Sequence, residues 1–174
     1  VYGLTKCAGE DAVRKQMTQY YILRTSWMYG NGDNSFINRM TAEMNNKKTV
    51  TVDGTRTGCP TSAADIASAA IHFIYRSDNA KGFFGSNSAP AYGVYNFCDE
   101  GSCTLLEYAQ AVYKYGRKFN LIQNDCTIES GTVETAAKRP QHANLDTHKI
   151  EKELKIRIPS WQTSLEKYFR DNRK

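Results

Sequence analysis

A chain of 174 residues that is 40% hydrophobic and 24% charged has the make-up of one globular domain or a little more. Its net charge of +5 comes from scattered Lys and Arg, with pairs such as Lys47-Lys48 and Lys138-Arg139 but no basic tract of five, which argues against nucleic acid and leaves room for an anionic small molecule. No apolar run is long enough to cross a bilayer and no cationic leader precedes a hydrophobic stretch, so a cytoplasmic protein without a membrane partner is expected.

Val1 runs straight into a helical pattern, so the chain is expected to begin in mid-domain. Residues 2–19 favour helix, with Leu4, Ala8, Ala12 and Val13 at spacings of three and four. Tyr20-Tyr21-Ile22-Leu23-Arg24-Thr25 is a short β-rich run, and Gly30-Asn31-Gly32-Asp33 after it is turn chemistry. Residues 36–46 are helical, with Phe36, Ile37, Met40 and Met44 on one side, and Thr49-Val50-Thr51-Val52 is a strand closed by Asp53-Gly54.

Ser62 stands three residues before Asp65, a spacing that predicts a capping box at the start of a helix over 63–75 with an alanine-rich face. Residues 77–92 have loop composition, and Val94-Tyr95-Asn96-Phe97 reads as a strand. Thr104 with Glu107 repeats the capping pattern before a helix reaching about 115. A last helix begins near Ser160 and carries Trp161, Leu165, Tyr168 and Phe169 at helical spacing. The sum is a mixed α/β organisation without repeats or a clear linker.

Five cysteines, at positions 7, 59, 98, 103 and 126, form an odd set without CxxC and read as reduced thiols that fill space as small hydrophobes. His72, His142 and His148 do not combine with a cysteine pair into zinc-ligand spacing, so no metal is expected.

Tyr2 and Lys6 form a YxxxK pair, and a spacing of four places both side chains on one helix face. An ammonium there favours the phenolate, which prepares the phenol to give a proton to a carbonyl oxygen as hydride reaches the carbon. On its own the pair is better read as a solvated helical turn.

The surrounding motifs carry more. Tyr2-Gly3-Leu4-Thr5-Lys6-Cys7-Ala8-Gly9-Glu10 resembles the YGxTKxxGE signature of extended short-chain dehydrogenases. Arg24-Thr25-Ser26-Trp27-Met28-Tyr29-Gly30 resembles the RTSWxYG segment of the dTDP-4-dehydrorhamnose reductase family. Gly58-Cys59-Pro60-Thr61 with Asp65-Ile66-Ala67 is similar to that family's GxPTxxxDLA, Ala137-Lys138-Arg139-Pro140 with Leu145-Asp146 to its AxRPxxSxLD, and Pro159-Ser160-Trp161 with Leu165 to its PxWxxxL. Five ordered matches run through almost the whole chain.

The resemblance implies the C-terminal part of a Rossmann-like fold with a small mixed α/β substrate lobe. Residues 1–30 would hold the catalytic helix and the strand after it, and 31–174 mainly the substrate lobe with returning sheet elements. It implies NAD(P)H-dependent reduction of the 4-keto group of a dTDP-deoxysugar, with Tyr2 as proton donor and Lys6 holding the cofactor ribose. Trp27 would pack against the sugar or base, and Arg139 would approach the substrate pyrophosphate. A core tryptophan and a surface arginine are the plainer alternatives. Asp65 reads as a helix-starting residue rather than a catalyst, and Pro60 and Thr61 as turn-shaping.

Arg56 stands near the place of a family glutamine, and Asn144 replaces the usual serine, so the sugar nucleotide is less defined than the reaction. The chain holds no GxxGxxG turn for a pyrophosphate. It is therefore expected to turn over nothing alone, and the choice of NADH or NADPH is not legible in it. A homodimer is compatible with the sequence. Two other readings stay open: a nucleotide-sugar epimerase or dehydratase of the same superfamily, and a non-catalytic, reductase-like regulatory subunit.

Overall fold

The computed structural model describes residues 2–32, 35–79, 89–133 and 140–172. In chain order the elements are α1 (Tyr2–Gln16), β1 (Tyr21–Arg24), β2 (Met28–Tyr29), α2 (Phe36–Asn46), β3 (Thr49–Val52), β4 (Thr57–Gly58), β5 (Thr61–Ser62) and α3 (Ala63–Asn79). Then come β6 (Gly93–Asn96), β7 (Cys103–Thr104), α4 (Leu105–Lys118), β8 (Thr127–Ser130), β9 (His142–Ala143), α5 (His148–Leu154) and α6 (Trp161–Asp171). They gather into two compact units. One comprises the chain up to Arg24 with Ser68–Phe97 and Asp146–Arg157, the other Thr25–Ala67, Cys98–Leu145 and Ile158–Lys174.

The first unit is built on β1 and β6, which pair in parallel with Tyr21 opposite Gly93 and Arg24 opposite Asn96. A parallel pair needs a long crossover between its strands, and the sequence between them is ample. Phe73 of α3 packs against Tyr21 and Tyr95, ring centroids 4.4 and 4.9 Å away, so aromatic burial fastens that helix to the strands. Ile150 and Leu154 of α5 are buried as well. On α1 the expected apolar stripe stays open, and the helix buries no residue; Leu4 is 77% exposed. What ties α1 down is charge. Glu10 takes a two-pronged hydrogen bond from Arg24 of β1, both contacts 2.7 Å, and a third contact of 2.8 Å from Arg14.

The second unit holds the larger core. Tyr29, Ile37, Met40, Met44, Val50, Val52, Tyr108, Val112, Leu165 and Phe169 form one buried cluster. The periodicity of 36–46 is realised with Ile37, Met40 and Met44 inward, and Ser35 caps the helix by accepting the Asn38 amide hydrogen. Strand β3 alternates as the sequence implies, with Val50 and Val52 buried, and runs parallel to β8. β4 sits between β7, antiparallel, and β9, parallel.

The capping box at Thr104 is present in full: its hydroxyl accepts the Glu107 amide hydrogen at 3.1 Å while the Glu107 carboxylate accepts from the Thr104 amide at 2.7 Å. Thr104→Ala is expected to cost about 1 kcal/mol, read as a shift in the urea midpoint at unchanged slope. Ser160 likewise caps α6. The box expected at Ser62 is not formed. The Ser62 amide donates instead to Asp99, and the Asp65 carboxylate accepts the Ser164 hydroxyl at 2.6 Å. A buried carboxylate on a distant segment outcompetes the local one.

Candidate functional site

Tyr2 and Lys6 lie one turn apart on α1, and the Lys6 ammonium is 5.5 Å from the centre of the Tyr2 ring. Tyr2 is 75% exposed, so its phenol can be approached from solvent. Thr5 of the same motif donates its hydroxyl to the Tyr2 carbonyl at 2.8 Å, a local bond that closes the first turn. Glu10, the last letter of the motif, and Arg24, the first of the next, form the two-pronged pair that joins α1 to β1. Their pairing was not anticipated from the sequence, although both residues stand in the quoted segments. The guanidinium of Arg24 holds the Glu10 carboxyl below its usual range. With the Arg24 side chain half exposed, solvent screens the pair and its contribution to stability is small. Its worth is geometric, because it orients the helix that carries Tyr2 and Lys6.

Trp27 belongs to the second unit. Its backbone is left-handed, with φ 37°, a conformation that few residues other than glycine adopt without strain. The half-buried indole stacks on Tyr108 at 6.1 Å and 21° between planes. It also covers Gly58, where an added Cβ would meet the ring at 2.4 Å. Glycine is therefore required at the first position of the Gly58-Cys59-Pro60-Thr61 segment. Gly58→Ala is expected to push the indole off its seat and cost about 1–3 kcal/mol by overpacking, checked by near-ultraviolet circular dichroism and urea melts.

The remaining segments resolve into structural duties. Thr61 donates its hydroxyl to the Cys59 carbonyl at 3.0 Å, but instead of the turn expected at Pro60 and Thr61 the chain runs there as strand β5 straight into α3. Asp146 accepts from the His148 amide at 2.9 Å and from its ring nitrogen at 2.7 Å at the start of α5. Trp161 and Leu165 of the closing segment are core residues. Arg139 falls outside the described residues.

Cys59, Cys98 and Cys103 are buried, Cys126 is partly covered, Cys7 is exposed, and all are free thiols. A hydrogen bond from Cys98 favours the Cys59 thiolate and holds Cys98 protonated. Among the described residues no three His, Cys, Asp or Glu side chains converge to hold a metal, and no helix is long and apolar enough to cross a membrane.

A YxxxK helix with a parallel strand pair in one unit, and small sheets with capped helices in the other, give a mixed α/β chain of Rossmann-like fold class. Curated relatives agree. The chain is 28% identical over 174 residues to dTDP-4-dehydrorhamnose reductase of Shigella flexneri, covering 98% of this chain and 56% of that one. To the enzyme of the same name from Sinorhizobium fredii it is 31% identical over 171 residues, covering 94% and 54%. The crystal structure of dTDP-4-dehydrorhamnose reductase from Bacillus anthracis in complex with NADP superposes with a TM-score of 0.82 at 26% identity, covering 98% of this chain and 55% of that one. The chain thus spans about half the length of the curated relatives it matches. The model of the RmlD substrate binding domain matches residues 1–174, and the chain belongs to that family.

Proposed function

We propose that this chain is part of a cytoplasmic NAD(P)H-dependent reductase that converts the 4-keto group of dTDP-4-dehydrorhamnose to the alcohol of dTDP-rhamnose, a nucleotide sugar for cell-surface polysaccharide. The observation that carries the reading is the exposed Tyr2 phenol with the Lys6 ammonium 5.5 Å from its ring, on a helix held in place by Glu10 and Arg24. The nicotinamide cofactor supplies the hydride when bound. Tyr2 donates its phenolic proton to the carbonyl oxygen as that oxygen gains charge. Lys6 would hold the cofactor ribose and, as a cation, stabilises the tyrosinate left behind.

Trp27 offers the apolar face of its indole to the sugar or base of the substrate. Its strained backbone supports that role, since a left-handed tryptophan persists only where the surroundings over-determine it. Arg139 is assigned the substrate pyrophosphate, which its planar fork suits. The chain lacks a glycine-rich dinucleotide turn, so it is expected to be inactive by itself and to act within a protein of the relatives' length.

The test is NADPH oxidation by that longer protein presented with dTDP-4-dehydrorhamnose. Stoichiometric oxidation with formation of dTDP-rhamnose supports the reading. Interconversion of nucleotide sugars with no net cofactor consumption would replace it with an epimerase, and absence of turnover together with a co-purifying enzyme would replace it with a regulatory subunit.

A further inference from the structure

Asp99 lies between β6 and β7 and is fully buried, at 0% exposure. Its Oδ2 accepts the backbone amide hydrogen of Ser62 at 3.0 Å, and its Oδ1 is buried without a hydrogen-bond partner among the described residues. A buried carboxyl with an unmet oxygen is costly, and few sites keep one without a reason. What this one holds is β5. Thr61 of that strand donates its amide to the Trp27 carbonyl at 3.2 Å, and β5 pairs in parallel with β2, the strand that follows Trp27 directly. Two hydrogen bonds from adjacent amides of β5, one to the Asp99 carboxyl and one to the Trp27 carbonyl, thus lead from Asp99 to Trp27. Asp99 is itself braced from α6, because the Glu100 amide donates to the Pro159 carbonyl at 2.8 Å and the Trp161 amide to the Glu100 carbonyl at 3.1 Å.

Trp27 needs such bracing, since a left-handed non-glycine backbone costs about 1–3 kcal/mol and relaxes if its surroundings loosen. We infer that Asp99 is a positioning residue for Trp27: by accepting the Ser62 amide hydrogen it fixes β5, and β5 fixes the backbone turn that presents the indole. The inference rests on the proposed function only in giving the indole a substrate to meet.

The arrangement has a pH consequence. Burial pushes the Asp99 carboxyl up to about 7, opposed by the Ser62 amide and by the Ser164 side chain of α6, and reinforced by the nearby Asp65 and Cys59. Cys59 lies ahead of β5, and Cys98, the chain neighbour of Asp99, is a further titratable group around it. Tyr29 of β2 and Tyr108 of α4, whose phenols burial holds protonated, face it as well. The Ser62 contact is therefore made by a carboxylic acid below neutrality and by a carboxylate above it.

The test is fluorine NMR of protein labelled with fluorotryptophan, in which the Trp27 signal is assigned by its loss in Trp27→Phe. In the wild type the Trp27 resonance is expected to titrate with a midpoint of about 7. In Asp99→Asn, which keeps an acceptor for the Ser62 amide but cannot ionise, the titration is lost. In Asp99→Ala, with the acceptor gone, the Trp27 signal moves or broadens at every pH. A wild-type resonance that does not titrate, a titration that survives in Asp99→Asn, or a folded Asp99→Ala protein with the wild-type signal would overturn the inference. If Asp99→Ala fails to fold, the Asp99→Asn comparison decides alone. No substrate is present in these measurements, so failure of Asp99 to position Trp27 and failure of the reductase reading are separate outcomes. The second is read from binding of dTDP-sugar to Trp27→Phe.

Discussion

If the proposed reductase reading holds, Tyr2→Phe in a protein of the relatives' length is expected to lower kcat by about 10²–10⁴-fold, the range that a positioned general acid contributes. The change removes one oxygen from a side chain that is 75% exposed, so folding stability should move by no more than about 0.5 kcal/mol. Cofactor affinity should hold, because the proposed ribose contact is given to Lys6, which remains. The expected pattern is thus a large loss in kcat with little change in the dissociation constant for NADPH, measured by steady-state kinetics and by fluorescence titration. Lys6→Met should differ in kind: it removes the ammonium 5.5 Å from the Tyr2 ring, and with it the contact proposed for the cofactor ribose, so both kcat and cofactor affinity are expected to fall. A Tyr2→Phe enzyme that keeps its rate would mean that the proton comes from elsewhere.

The second large effect concerns stability. Asp99 is displaced from an ordinary 3.8 to about 7 by burial, so the folded chain holds a proton there that the unfolded chain has released. Folding is therefore penalised progressively as pH rises from about 4 to about 7, and the penalty is complete above the folded value. The displacement corresponds to about 4 kcal/mol. Asp99→Asn carries no such penalty. The stability of the variant relative to the wild type should grow across that window and level off above it, by up to about 4 kcal/mol, as measured by urea unfolding of both proteins at a series of pH values. Taking the difference cancels titrations common to the two, including Glu10, Glu107 and Asp146, whose partners depress them and whose contributions are lost toward acid. A flat difference would show that the buried carboxyl is compensated by contacts other than the Ser62 amide.

Much of the architecture was legible in the chain because it is specified locally. The helix over 36–46 and the strand over 49–52 were read to the residue, since each writes its own period in methionines, isoleucines or valines. The caps at Thr104 and Ser160 were equally plain, because a side chain and the amide it serves lie three residues apart. Family membership was also legible, from five ordered segments that resemble those of the family whose model matches the chain. The reading faltered where it trusted a local pair against a distant competitor, as at Ser62 and Asp65. It also faltered where an element was too short to show a period. β2, β4, β5, β7 and β9 have two residues each, and α5 has seven.

The candidate site divides in the same way. The Tyr2 and Lys6 spacing by itself determined that a phenol and an ammonium share a helix face, because four residues make roughly one turn in any α-helix. The glycine at 58 and the tryptophan at 27 were visible as letters. Only tertiary structure decided that the indole lies on that glycine, that Glu10 reaches across 14 positions to Arg24, and that Asp99 is buried against Ser62, 37 positions away. The physical reason is that hydrogen bonds and burial between distant segments are chosen by how the core closes: an aspartate in sequence is only a charge, and packing decides whether it meets water or an amide in the dark.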